Sequence, residues 1–406
     1  MFEQTKVSDW KYLAIAVVLF ILSYPFIFWG IMSNRIIPLA VKTILSIYIV
    51  IYCRRRFSDG DYKLLFVYEL AFVIDIVLEL YRGSSNTNGF VSQLPVCLFV
   101  SICFMETTGI KKTMYYLMNI ILIISIIGLF FYLINQFYLS LPPFGIINHF
   151  NQDRTYMVYP LYLVELFDNP VETADTVSIM RFQGVYDEAG LLGTILAFFI
   201  YTLGYNFKNW RTWACIIVGV FTFSFFFYTM TVVFWAVNAI VRKKRAYSFV
   251  FALVLFGGFY LMTKDSTMFQ DVIWNRFEWN TENSSFEGDN RMTEEGEAEY
   301  NKIKGTSEYW LGLKAEHAKS FWASAEGSSS YKAVVANKGM VFFAIYTLFI
   351  LLLGWYNRST KESFLLYAVF MIVCIYQRTN VYSVLFLFLY SALARLQLGR
   401  GDLLRP

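Results

Sequence analysis

Runs of about 20 apolar residues, some shorter, recur along this 406-residue chain, and their length matches the hydrocarbon core of a bilayer. Hydrophobic residues are 57% and charged residues 16%, with a mean hydropathy of +0.49. So little charge on so much apolar sequence marks an integral membrane protein. Twelve spans are expected, at about 12–33, 36–52, 63–81, 90–106, 114–139, 189–205, 211–224, 228–241, 246–263, 339–356, 363–377 and 381–397. The first is too long for the apolar part of a secretory signal and lacks a convincing cleavage site.

Charge orients these spans. Residues 211–241 are apolar almost throughout, so one long helix or two short ones fit the hydropathy. Two short ones, joined by a tight turn rich in Ser, Thr and aromatics, place Arg242-Lys-Lys-Arg245 on the same side as Arg54, Arg55, Arg56, Lys111, Lys112, Lys208, Arg211, Arg358 and the basic C-terminal tail. The opposite short connections hold only Arg35, Arg82 and Arg378. This is the asymmetry of the positive-inside rule. Both termini are therefore expected in the cytoplasm, and residues 140–188 and 264–338 outside, in the periplasm if the chain is bacterial. The expected fold is an all-α polytopic membrane protein of about twelve transmembrane helices, with two long periplasmic loops containing short helices. Its parts are a five-span region (1–139), the first loop (140–188), a central four-span region (189–263), the second loop (264–338), and a three-span region with a cytoplasmic tail (339–406).

Loops of this length are uncommon unless they have a function. The first ends in Arg181-Phe-Gln-Gly-Val-Tyr-Asp-Glu-Ala-Gly-Leu-Leu-Gly193, which sets Arg181, Asp187 and Glu188 at the mouth of a membrane helix. Arginine offers a rigid fork of donors for phosphate or carboxylate, and a carboxylate beside apolar sequence can act as a general base. A plain salt bridge anchoring the helix end is the competing reading. The second loop opens with Phe269, Ile273, Trp274 and Phe277 at near-helical spacing, which predicts an interfacial amphipathic helix beside Arg276. Arg276, Asp289 and Arg291 stand at the depth of a lipid diphosphate, or are ordinary solvated charges. His317, beside Glu316, is one of two histidines, with His149, and can pass a proton near neutrality.

Asp75 and Glu79 share one face of the third span. Carboxylates within a membrane are costly. Lys42 on the neighbouring span is the expected partner, and an ion path is the alternative. The five cysteines avoid both long loops, so neither a disulfide framework nor a zinc site is expected. The absence of a phosphate-binding glycine loop or dinucleotide fingerprint argues against a soluble nucleotide-sugar donor. No nucleic-acid partner is expected.

Arg181-Phe-x-Gly-x-x-x-Glu-x-Gly-x-x-Gly193 resembles the Arg-x-x-Gly-x-x-x-Glu-Pro-Gly-x-x-Gly signature of bacterial O-antigen polymerases and related polysaccharide polymerases, with Ala189 in place of the usual proline. Thr222-Phe-Ser224 resembles the turn of that family's short helix pair. Asp289-Asn-Arg291, Leu311-Gly-Leu313, Gly327-Ser-Ser-Ser330, Asn337-Lys-Gly339 and Gln377-Arg-Thr379 follow in the family's order over roughly residues 130–395. The resemblance implies a glycosyltransferase of GT-C-like architecture in the bacterial inner membrane, acting on undecaprenyl-diphosphate-linked oligosaccharide repeat units at the periplasmic face, with a chain-length regulator as partner. On that reading Arg181, Arg276 and Arg291, with Arg378 as a fourth, hold the diphosphate, and Glu188 or His317 takes the acceptor proton. No cofactor or metal is expected. A ligase passing the chain to lipid A–core is the alternative within the family, and a lipid-linked-oligosaccharide flippase or other transporter is the alternative outside it.

Overall fold

The computed structural model describes residues 9–28, 36–53, 56–83, 105–139, 178–242, 292–324, 330–358, 360–378 and 383–396, with shorter stretches between 141 and 172 and between 250 and 286. Helices cover ten of the twelve expected spans. Most of the expected spans at 90–106 and 246–263, most of the amphipathic segment at 269–277, and His149, Arg276, Asp289 and Arg291 lie outside the described residues. The chain divides into two compact units that interleave along the sequence.

The first unit comprises Met1–Ser33, Lys111–Gly288 and Leu398–Pro406. It holds α1 (Trp10–Ile21), most of a long helix beginning at Thr107, and a central trio, α5 (Ala189–Thr202), α6 (Trp210–Phe221) and α7 (Phe225–Arg242). Every residue of α5 from Leu192 to Thr202 is buried. A helix enclosed on all sides needs small residues where neighbours approach. A Cβ on Gly193 would stand 2.8 Å from Ser224 Cβ, and one on Gly219 would lie 2.1 Å from the Phe227 ring. The glycines thus let α5 and α6 close onto α7. Two short helices occupy 210–242, as the charge pattern requires, and the chain reverses between them at Thr222–Ser224.

The first long loop departs from the expected short helices. Its described parts pair as strands: β1 (Gly145–Asn148), β2 (Thr155–Tyr159) and β3 (Val164–Phe167) form an antiparallel meander in the order β1-β2-β3, and β4 (Val171–Glu172) pairs with β5 (Ser178–Ile179). The register runs Gly145↔Val158 and Tyr159↔Val164. The meander's tight turn rests on the long helix α4 (Thr107–Phe137), where a Cβ on Gly128 would meet Leu163 O at 2.6 Å.

The second unit comprises Asn34–Ile110 and Asp289–Gln397. In it α2 (Ile36–Tyr52) and α3 (Asp59–Tyr81) join α12 (Met340–Tyr356), α13 (Lys361–Gln377) and α14 (Val384–Leu396). The α3–α12 contact includes Tyr68 edge-on to Phe349 at 4.9 Å. Between Glu294 and Lys338 runs a small helical cluster: α8 (Glu294–Ile303), α9 (Ser307–Leu311), α10 (Ala315–Ser324) and α11 (Tyr331–Lys338). Its core is Tyr300, Ile303, Leu313, Phe321, Val335 and Ala336.

The carboxylates of α3 are not paired with Lys42. Arg82 Nη2 lies 3.5 Å from Asp75 Oδ1, and Lys338 Nζ lies 3.1 Å from both Asp75 Oδ2 and Glu79 Oε1. Asp75 and Arg82 stand seven apart, two turns along one helix face, while Lys338 arrives from the end of α11. Two cations match two carboxylates in a nearly dry site, where removing one partner strands a charge. Lys338→Ala should therefore cost about 3–5 kcal/mol of stability, read as a lowered Tm in detergent, while Lys42→Ala leaves the melt nearly unchanged. Equal losses in the two variants would contradict this pairing.

Candidate functional site

The segment 181–193 is the best-built polar feature of the first unit. It leaves β5 as extended chain and enters α5 at Glu188. Phe182 N donates to Phe221 O at 3.0 Å, which fastens the chain to the end of α6. Arg181 Nε donates to Thr222 O at 3.3 Å and its Nη2 to Phe223 O at 3.1 Å. The last carbonyls of a helix lack partners within the helix. Phe223 also holds φ at 45°, a conformation unfavourable for a bulky residue. The guanidinium satisfies both carbonyls and holds that strained turn.

Beyond Arg181 the segment turns inward. Phe182, Gln183, Val185 and Tyr186 are buried. Gly184 sits at φ +61°, the left-handed region that favours glycine. Phe26 N donates to Val185 O at 2.8 Å, and Ser23 Oγ lies 3.2 Å from the Tyr186 hydroxyl. Burial raises the pKa of the Tyr186 phenol, a shift that the Ser23 bond opposes. The Tyr132 hydroxyl donates to Met180 O. The loop is therefore gripped on both sides and presents Arg181, Asp187 and Glu188, all half-buried, at its edge.

Glu188 is the N-cap residue of α5, in extended conformation (φ −137°, ψ 130°), but its side chain makes no capping hydrogen bond. Its carbonyl accepts from Leu191 N at 3.0 Å. The start of a helix favours negative charge, the state a proton acceptor needs. Arg181 and Glu188 thus sit at the two ends of one rigid loop.

His317 and Arg378 belong to the second unit. His317 lies in the first turn of α10, exposed, with Nδ1 2.8 Å from Glu308 Oε1. The same oxygen accepts from Lys314 N at 3.1 Å. The partner of His317 is thus Glu308, nine residues earlier, rather than its neighbour Glu316. A carboxylate on Nδ1 fixes the ring's orientation and leaves Nε2 for other work. Arg378 follows α13 in extended backbone, with its N donating to Cys374 O at 2.7 Å and only 7% of the residue exposed.

Sequence reasoning missed Glu308, Arg82 and Lys338. Arg82 carried a usable signal, since the spacing from Asp75 puts it on the same face of α3. Glu308 had none, because its link to His317 depends on the turn between α9 and α10. No family model, curated protein or solved structure matches the chain.

The contact between Gly193 and Ser224 gives a direct test of this packing. Gly193→Ala forces a methyl group against Ser224 and should cost about 1–3 kcal/mol, the usual range for overpacking. Adding Ser224→Gly removes the obstructing Cβ and should restore most of the loss in a thermal melt. A double variant as unstable as Gly193→Ala alone would show that the helices do not meet there.

Proposed function

We propose that this chain is a polytopic membrane glycosyltransferase of the O-antigen polymerase type, joining oligosaccharide repeat units carried on undecaprenyl diphosphate at the outer face of a bacterial inner membrane. Support for the membrane part is compositional and geometric. Thr107–Phe137, with 31 residues, is long and apolar enough by itself to cross a bilayer. Ile36–Tyr52 and Met340–Tyr356 have 17 residues each, the lower end of spanning length. Several further apolar helices accompany them.

The observation that carries the chemical reading is the 181–193 segment. Its arginine is seated on the α6–α7 turn, its first glycine is left-handed, its glutamate opens α5, and its last glycine meets Ser224. The residues that carry the resemblance to the polymerase signature are therefore those with a definite structural task here.

In the proposed reaction an acceptor sugar hydroxyl attacks the anomeric carbon of the lipid-linked chain. The new carbon–oxygen bond forms as the bond to the diphosphate breaks. The hydroxyl proton passes to Glu188, or to His317 as second choice, and undecaprenyl diphosphate leaves with its negative charge. Held donors stabilise that charge most as it develops. Arg181 is assigned this task on its unit, with Arg276, whereas Arg291 and Arg378 are the candidates on the other. A ligase would use the same donor chemistry with lipid A–core as acceptor. The transport reading is weaker, because Asp75 and Glu79 are engaged by Arg82 and Lys338.

Purified protein in detergent, given its undecaprenyl-diphosphate-linked repeat unit with chelator and no nucleotide, should yield a ladder of chain lengths. Arg181→Ala and Glu188→Ala should each lower the rate by about a hundredfold or more, with Arg181→Lys included to separate loss of chemistry from loss of the turn. Wild-type chain growth in both alanine variants would refute the site. A single transfer that requires lipid A–core would make the enzyme a ligase, and no transfer of intact, bound substrate would favour transport.

A further inference from the structure

Arg82 occupies a slot in the second unit where the ends of α9 and α11 and the start of α10 meet. Its Nη1 donates to Asn337 O at 2.9 Å and to Leu311 O at 3.3 Å, the orphan carbonyls near the ends of α11 and α9. Its own carbonyl accepts from Ala315 N, the first residue of α10, at 3.1 Å. Asp75 neutralises it from below at 3.5 Å, and the side chain is 5% exposed. The slot depends on Gly312, at φ +88°, where a Cβ would stand 2.6 Å from Nη1 and 2.9 Å from Asn337 O. One arginine thus binds both ends of the elbow 311–315 to the end of α3. That elbow separates Glu308 from His317, and Leu313 N also ties it to Ala336 O at 2.8 Å. If the elbow shifts, the 2.8 Å Glu308–His317 contact shifts with it.

We propose that Arg82 is a positioning residue that sets the His317–Glu308 pair by clamping the α9–α10 elbow. The proposal rests on the reading that His317 serves the transfer reaction. Lysine is a point charge without the planar fork, so it can keep the two carbonyls, which Nη1 holds, or the Asp75 contact, which Nη2 holds, but not both. Glutamine is shorter and uncharged, so it reaches neither the carbonyls nor Asp75.

Two measurements test this together. The first is amide hydrogen exchange, which needs no substrate. In Arg82→Gln, exchange of residues 311–318 should accelerate while that of α8 and α12 stays as in the wild type. The second is a double-variant cycle on chain growth from the undecaprenyl-diphosphate-linked repeat unit. Arg82→Gln and His317→Gln should each slow growth by about a hundredfold, the lower bound for a lost general acid or base, and the double variant should be no slower than His317→Gln alone. Arg82→Lys should fall between the wild type and Arg82→Gln. If Arg82→Gln does not fold, Gly312→Ala displaces the same guanidinium without removing its charge and should give the same pattern.

Losses that multiply in the double variant, or unchanged exchange at 311–318, would overturn the positioning role. No chain growth by the wild type, together with faster exchange at 311–318 in Arg82→Gln, would overturn the proposed function and leave the clamp standing.

Discussion

The last carbonyls of a helix need donors from outside it, and two arginines supply them in this protein. The ends of α6, α9 and α11 all face that problem. Arg181 answers it for Thr222 and Phe223, and Arg82 for Leu311 and Asn337. Each guanidinium ties a polar segment to helices of its own unit. The described residues around these contacts are consequently held in place, which is the condition for donors to act on developing charge without reorganising.

The two arginines differ in burial. Arg82 lies in a buried group with Asp75, Glu79 and Lys338, where charge is matched within the fold and little is left for a substrate. Arg181 is half-buried at the edge of a loop that also presents Asp187 and Glu188. The carboxylates of α3, conspicuous in the sequence, are engaged by Arg82 and Lys338, which weighs against the transport alternative to the proposed function.

The sequence makes some parts legible because one physical rule controls them. Apolar length places the helices, and the basic run 242–245 separates α6 from α7, since a single helix there would invert the charge asymmetry. The strands at 145–179 are not legible in this way, because segments of two to five residues carry too little periodic pattern and their pairing is non-local. Lys42 looked like the partner of Asp75 because it lies on a neighbouring span, yet the cations that meet Asp75 come from two turns along the same helix and from the far end of α11. The signature glycines show the same division. Their spacing is plain in the sequence, but that Gly193 makes room for Ser224 and Gly312 for Arg82 follows only from packing between helices distant in the chain.

The proposed chain growth at the outer face requires a polytopic bundle that presents both polar segments there. Single cysteines placed at exposed positions in a cysteine-free background, then labelled with a membrane-impermeant maleimide in intact cells, test this directly. Positions 142 and 307 should react from outside, whereas 208 and 361 should react only after the membrane is opened. Labelling of 208 or 361 in intact cells, or protection of 142 or 307, would contradict the topology and with it the proposal of chain growth at the outer face.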